Sequence, residues 1–240
     1  MKKVPKSAVV FVALVATAAV LVVGFEMWRS QLPSWGPTWV KLAAFLAFAA
    51  LGSVMSLKLP GMNSTMSVNL PFILLAAAEL SAPEVCGIAL LCGIVQTVRS
   101  AHPTRPLQFA FNIAVMVLSS AVAQFLCHVG PSTTSAPVVA LNLALATVGY
   151  FLLNTALVAT VVALAEKRSI ARAWERMFLM TFPYYVLSMG LGVSASVVGV
   201  IANWWSALAL IPILFGVYKC YAVYFRATAQ HQHAFAAGTH

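Results

Sequence analysis

The chain has 240 residues, 62% of them hydrophobic and 8% charged, with a formal net charge of +9. A soluble domain carries about 25% charged residues, so a water-soluble fold is excluded for want of charges to cover it. Apolar stretches near the roughly 20 residues that span a hydrocarbon core by helix recur along the chain, which predicts an all-α membrane protein.

In chain order, the opening MKKVPKSAVVFVALVATAAVLVVGF has a basic start and an apolar run, Ala8 to Phe25, too long for a signal-peptide core, and reads as an uncleaved signal anchor. Further spans are predicted at Trp39 to Leu57, Met66 to Leu80, Pro83 to Val98, Leu107 to Val129, Ala136 to Ala165, Met177 to Ala202 and Trp204 to Phe225. The prediction is thus a bundle of about eight transmembrane helices, seven if the third only dips into the membrane, within a single domain over residues 1–226. A short cytoplasmic tail follows at 227–240. Trp28, Trp35, Trp39, Trp174, Trp204 and Trp205 fall at or near span ends, where an amphipathic ring prefers the headgroup layer.

The third span is unusual. Asn63, Ser64, Thr65, Ser67 and Asn69 precede Pro71, which has no backbone N–H to give a helix. Unpaired backbone survives at membrane depth only where protein or water covers it. The expected form is therefore a broken or short span near residues 61–80: an extended piece from Gly61 to Leu70, buried among other helices, then a short helix. After it, Ser81, Pro83 and Glu84 match a capping box that opens the next helix.

Charge decides between eight spans and seven. With eight, Lys2, Lys3, Lys6, Lys58, Arg99, Arg105, Lys167, Arg168, Arg172, Arg176, Lys219 and Arg226 fall on one side and only Arg29 and Lys41 on the other. Cytoplasmic loops collect Lys and Arg, so both termini are expected inside, in a bacterial inner membrane. Seven spans would export the lysine-rich start. The basic excess is read as orientation and attraction to anionic headgroups; no nucleic-acid partner is expected.

Between the sixth and seventh spans, EKRSIARAWERM sets Ile170, Ala173, Trp174 and Met177 at helical spacing, so it is expected to lie along the inner surface as an amphipathic helix or loop. In the seventh span, Ser188, Gly192, Ser196 and Gly199 keep to one face and let a neighbouring helix approach closely.

Catalytic patterns are absent: the chain has no aspartate, no HExxH, no GxSxG and no Walker sequence. No enzyme activity, cofactor or metal is expected. His231, His233 and His240 sit in a polar tail without a carboxylate or thiolate partner. Cys86, Cys92, Cys127 and Cys220 have no paired spacing and read as packing residues, with a Cys86–Cys127 disulfide left open. What remains is a set of intramembrane polar side chains, each a functional candidate by its expense in lipid. The ligand-binding candidates are Asn69, Glu79, Asn112, Tyr150 and Asn154; Tyr150 and Asn154 share a helix face. Interhelical hydrogen bonding is the commoner use of such amides, and Glu79 lies near a helix end where it can reach water.

LKLPGMNSTMSVNLPFILLAAAEL, FAFN ending at Asn112, GYFLLNTALVATVVALAEKRSIARAWER and FPYY at Phe182 to Tyr185 together resemble the multi-span N-terminal sensor module of bacterial HD-GYP and GGDEF signalling proteins. In arrangement they are also similar, more distantly, to the S components of energy-coupling-factor transporters. The resemblance covers about Leu57 to Phe225 and implies a membrane sensor in which Asn112 and Asn154 are recurring intramembrane amides. No HD, GYP or GGDEF residues follow Phe225, so the expected function is a non-enzymatic, small-ligand-binding sensor that acts through a signalling enzyme. The alternative is a substrate-binding transport subunit energised by a separate ATPase.

Overall fold

The computed structural model describes residues 5–30, 38–58, 65–99, 106–129, 135–202, 212–213, 215–224 and 227. Its elements are α1 (Lys6–Arg29), α2 (Thr38–Val54), β1 (Ser56–Lys58), β2 (Thr65–Ser67), α3 (Leu70–Glu79), α4 (Ala82–Val98), α5 (Pro106–His128), α6 (Ala136–Glu166) and α7 (Ile170–Ala202). Among the described residues four helices, α1, α5, α6 and α7, are long and apolar enough to cross a membrane, with α2, α3 and α4 shorter but apolar. Residues 215–224 are also helical and fall within the expected eighth span, Trp204 to Phe225; 204–211, 214 and 225 of that span lie outside the described residues.

The architecture is an all-α membrane bundle. Helices with one buried stripe form its wall. In α1 the buried residues Ala8, Val12, Val15 and Ala19 recur every three or four positions, while Val10, Leu14, Leu21 and Trp28 are exposed. That is the division expected of a helix with lipid on its outer face. Gly149 allows α5 and α6 to close together: a Cβ there would meet Leu126 at 2.3 Å and Val122 at 3.1 Å.

Helix α3 is different. Every residue from Leu70 to Ala77 is buried, and a helix that is apolar all round has to be covered on every side. Its 10 residues reach only about 15 Å, half the hydrocarbon thickness, so the chain completes the distance in another form. That form is a strand pair: β2 lies antiparallel to β1, with Ser56 opposite Ser67 and Lys58 opposite Thr65. The expected extended piece is thus partly realised. Thr65–Ser67 is extended, Val68 and Asn69 make a turn, helix begins at Leu70, and 61–64 lie outside the described residues. Strand pairing was not foreseen from sequence.

Contacts fix where the chain goes. The turn lies against the late part of α2, where the Val68 N–H donates to the Gly52 and Met55 carbonyls at 3.2 Å each. At its other end α3 carries Glu79, which ion-pairs with Lys41 near the start of α2. Residues 65–79 therefore run the length of α2 in the opposite direction and deliver the chain to the far end of the bundle. The third segment runs alongside α2 through the bundle.

The remaining contacts agree with strict alternation. Phe11 at the start of α1 meets Phe111 at the start of α5, and Asn112 there bonds to Thr97 at the end of α4. At the opposite end Asn142, early in α6, bonds to the Cys127 carbonyl, late in α5. The starts of α1, α5 and α7 and the ends of α2, α4 and α6 share one end of the bundle, and α3 starts within it and runs towards the other. Lys6, Arg99, Lys167, Arg168 and Arg172 gather at the shared end, and Arg29 and Lys41 lie at the other.

Two further expectations are settled locally. The capping box at Ser81 forms, with the Glu84 carboxylate accepting from the Ser81 N–H at 2.9 Å and its hydroxyl at 2.7 Å. The stretch around Ile170 to Met177 is not a separate surface helix: α6 ends at Lys167, whose φ of 54° turns the chain, and α7 starts at Ile170 and continues through the bundle. Cys86, Cys92, Cys127 and Cys220 are all free thiols.

Thiols introduced singly as Ser81→Cys and Arg99→Cys are expected to react with a membrane-impermeant maleimide from opposite faces. Labelling of both from one face would overturn the crossing. Gly52→Ala is expected to lower the melting temperature, by about 1–3 kcal/mol of lost stability, because its Cβ would lie 2.9 Å from the Asn69 Cα and the Val68 carbonyl oxygen, both backbone.

Candidate functional site

The start of α3 is a helix N-terminus placed inside a membrane bundle. Its first amides have no partners within their own helix and no water to turn to. Asn69 resolves part of this. Its carbonyl accepts from the Phe72 and Ile73 N–H groups at 3.1 and 3.2 Å. Its side chain, 3% exposed, donates to the Ser53 hydroxyl at 2.9 Å and accepts from the Ser67 hydroxyl at 3.0 Å. Ser53 in turn donates to the Ala49 carbonyl at 2.8 Å. The Cys92 thiol of α4 lies beside both Ser53 and Asn69.

The Leu70 N–H is satisfied from across the bundle, where the Tyr184 hydroxyl of α7 accepts it at 3.2 Å. Tyr184 directly follows Pro183, which sits inside α7 and removes one helical hydrogen bond there. Further along α7, a Cβ on Gly192 would lie 3.8 Å from Leu74. The small-residue face read from sequence therefore packs on α3, and the two helices run parallel.

Around this point aromatic rings close in from α6 and α7. The Tyr185 ring lies 5.9 Å from Tyr184, 6.1 Å from Tyr150 and 4.7 Å from Phe151, measured between centroids. The Tyr150 hydroxyl donates to the Met116 sulfur at 3.3 Å, and the Tyr185 hydroxyl donates to the Asn154 side-chain amide oxygen at 3.5 Å. From there the rings continue towards the basic end: Phe151 meets Phe178 at 5.4 Å, and Phe178 meets Trp174 at 5.3 Å. The Trp174 indole N–H donates to Thr155 at 3.2 Å.

The five residues singled out from sequence therefore separate. Asn69 and Tyr150 belong to the polar centre, and Asn154 joins it through Tyr185. Asn112 bonds to Thr97 at 3.3 Å, nearer the end of the bundle. Glu79 is at the far end of α3 in its ion pair with Lys41, with a side chain 36% exposed, so it binds α2 to α3. Sequence reasoning passed over Ser53, and it read Ser67 only as part of the polar run before Pro71, Cys92 as a packing residue and Ser188 as part of a small-residue face. For Tyr184 the available signal was Pro183, a helix interruption in a second span.

Five helical hydroxyls here take the usual escape of bonding back to the carbonyl four residues earlier, those of Ser53, Thr147, Thr155, Thr160 and Thr181. Ser119, Ser120, Ser188 and Ser196 are buried and have no partner in bonding geometry. Ser188 stands beside the Tyr184 hydroxyl and Ser120 beside that of Tyr150. Among the described residues no group of three His, Cys or Glu could hold a metal ion.

A polytopic helical bundle with a polar centre at a broken span is the class of protein these features define. The MASE9 family model matches residues 38–226, and the chain belongs to this family of membrane-associated sensor domains. Helix α1 precedes the matched region yet packs on α5. No curated protein and no solved structure matches the chain.

Asn69→Ala removes the link between Ser53 and Ser67 and is expected to cost about 1–3 kcal/mol, read as a fall in melting temperature in detergent. Lys41→Gln, which removes a half-exposed ion pair, is expected to cost about 1 kcal/mol or less. Equal losses for the two would contradict the ranking.

Proposed function

We propose that this chain is a non-enzymatic sensor module of a bacterial inner membrane, with both termini cytoplasmic. In this reading a small ligand binds at the polar centre around the start of α3, and the response passes to a partner signalling enzyme at the basic end. The observation that carries it is the convergence of polar atoms from α2, α4 and α7 on a helix start that an unbroken span would not need. Such breaks are where membrane proteins assemble binding sites. The sensor family gives the class of function.

Signalling needs two arrangements of the bundle, and a ligand biases them only by its different affinity for each. The ring chain from Tyr185 through Phe151 and Phe178 to Trp174 offers the physical connection. Trp174 lies on the same helix as Arg172, so a change at Tyr184 or Tyr185 reaches the basic end along packed aromatic rings.

The test uses a single reporter thiol, Arg172→Cys, in the full chain in native-like bilayers. Combined with Asn69→Ala, its labelling rate is expected to change at least two-fold, whereas Lys41→Gln should leave it unaltered. An unchanged rate with Asn69→Ala would sink the sensor reading. Isolation of the chain in an ATPase complex that takes up a solute would replace it with the transport-subunit reading.

A further inference from the structure

The end of α6 and the start of α7 form a tight corner at the basic end of the bundle. Lys167 turns the chain with its φ of 54°, and the Arg168 N–H closes the turn on the Ala163 carbonyl at 3.0 Å. On the α7 side the Ala173 N–H donates to the Ser169 carbonyl at 3.1 Å, and the Trp174 indole, through Thr155, ties the first turns of α7 back to α6. Hydrogen bonds thus hold the corner on both sides. Lys167, Arg168 and Arg172 extend from it, all exposed. Arg168 pairs with Glu166 at 3.2 Å, whereas Lys167 and Arg172 have no ion-pair partner among the described residues. Glu175 is the one acid within α7, so with Glu166 taken by Arg168 the corner keeps a positive excess.

Helix length sets the depth of this corner. The 31 residues of α6 rise about 46 Å, more than the roughly 30 Å of hydrocarbon and close to the roughly 40–45 Å that includes the headgroup layers. When the body of α6 fills the bilayer, its last turn stands among headgroups. Below the corner the surface turns apolar. Leu179 and Val186 follow Arg172 by seven and fourteen residues and so lie on its face of α7; they are 68% and 45% exposed, and Ile170, beside Arg172 at the helix start, is 50% exposed. Cations at headgroup depth above an exposed apolar face match a molecule that carries an anion above acyl chains. A water-soluble acidic partner would answer the cations alone.

We infer that this corner docks an anionic phospholipid, with Lys167 and Arg172 on its headgroup phosphate and the α7 face below Arg172 along its acyl chains. The inference stands apart from the sensor reading and needs no ligand at the polar centre. It also goes further than the general pull of an anionic leaflet on any basic residue near its surface. Lys6 and Arg99 are exposed at the same end of the bundle, and that general pull acts on them too. Among the described residues each is the one cation at its helix end, whereas the corner sets two unpaired cations five residues apart on a turn that hydrogen bonds keep in place.

The full chain in detergent is titrated with phosphatidylglycerol and, separately, with phosphatidylcholine, and the bound lipid is counted by native mass spectrometry. Phosphatidylglycerol is expected to bind about ten-fold more tightly. Lys167→Gln combined with Arg172→Gln should remove most of that preference. Lys6→Gln combined with Arg99→Gln removes the same charge from the same end and should leave the preference within about two-fold. Melting temperatures confirm that both pairs fold. Should the corner pair fail to fold, the unaltered chain still decides: raising the salt about ten-fold is expected to weaken phosphatidylglycerol binding and leave phosphatidylcholine unaffected. No preference for phosphatidylglycerol, an equal loss with the two pairs, or a preference indifferent to salt would each overturn the site. Binding of a polyglutamate peptide to the chain in phosphatidylcholine nanodiscs, lost with the corner pair and without any phosphatidylglycerol preference, would assign the corner to an acidic protein instead.

Discussion

Backbone in lipid has to find its hydrogen bonds inside the protein, and here that requirement is hardest to meet at one place, the start of α3. A continuous span would satisfy itself. Asn69 and Pro71 prevent this, and the solution draws on distant parts of the chain: Val68 turns to the carbonyls of Gly52 and Met55, Leu70 to a phenol of α7, and the Asn69 amide to Ser53. Gly52 is needed because the turn lies against its Cα face, with no room for a methyl group. The broken segment is therefore held by α2 and α7 together, and neither could move far without releasing a buried donor.

That arrangement also explains why the shortest helix is the most deeply buried. With only 10 residues, α3 cannot present both ends to headgroups; its beginning must lie within the bundle, and the other helices must cover it. The longer helices then carry the lipid contacts, as the exposed apolar faces of α1, α6 and α7 indicate. At the far end, the Lys41–Glu79 ion pair joins α3 to the start of α2. Because those two ends meet, residues 65–79 run back along α2, and among the described residues Lys6, Arg99, Lys167, Arg168 and Arg172 gather at one end of the bundle while Arg29 and Lys41 lie at the other.

Local chemistry was legible in the sequence where one residue type admits one use. Pro71 after a run of small polar residues foretold the break, and Ser81 with Glu84 foretold the cap, because both depend on neighbours within four positions. The bundle class and most boundaries followed from apolar run lengths. What the sequence could not give were pairings between distant spans. Nothing in FPYY says that Tyr184 faces Leu70 while Tyr185 faces Asn154, since adjacent residues on a helix diverge and only packing decides which neighbour each one meets. The stretch after Glu166 misled for a related reason: its basic, amphipathic pattern suits a surface helix, but the same pattern suits the protruding first turns of a long span. Ser188 was read as part of a small-residue face, and that face does meet α3 where Gly192 lies against Leu74.

The polar centre has a further property that follows from how it is built. Asn69 bonds to α2 and to the strand that precedes it, whereas Leu70, the next residue, bonds to α7. A single peptide unit thus joins two helices that have no other side-chain hydrogen bond or ion pair to each other among the described residues. Should the Tyr184 hydroxyl shift to engage something new, the Leu70 N–H loses its partner or moves with it, and Asn69 is drawn along through the shared backbone. Packed interiors respond to such demands by moving between discrete arrangements, because their density resists gradual deformation. Movement of α7 is the cheaper response, since Pro183 has already weakened its backbone beside Tyr184, whereas α3 is enclosed on all sides. The backbone that is weaker beside the polar centre is thus that of α7, which carries Trp174, Phe178, Tyr184, Tyr185 and the basic start, whereas α3, which positions the polar centre, is held on every side.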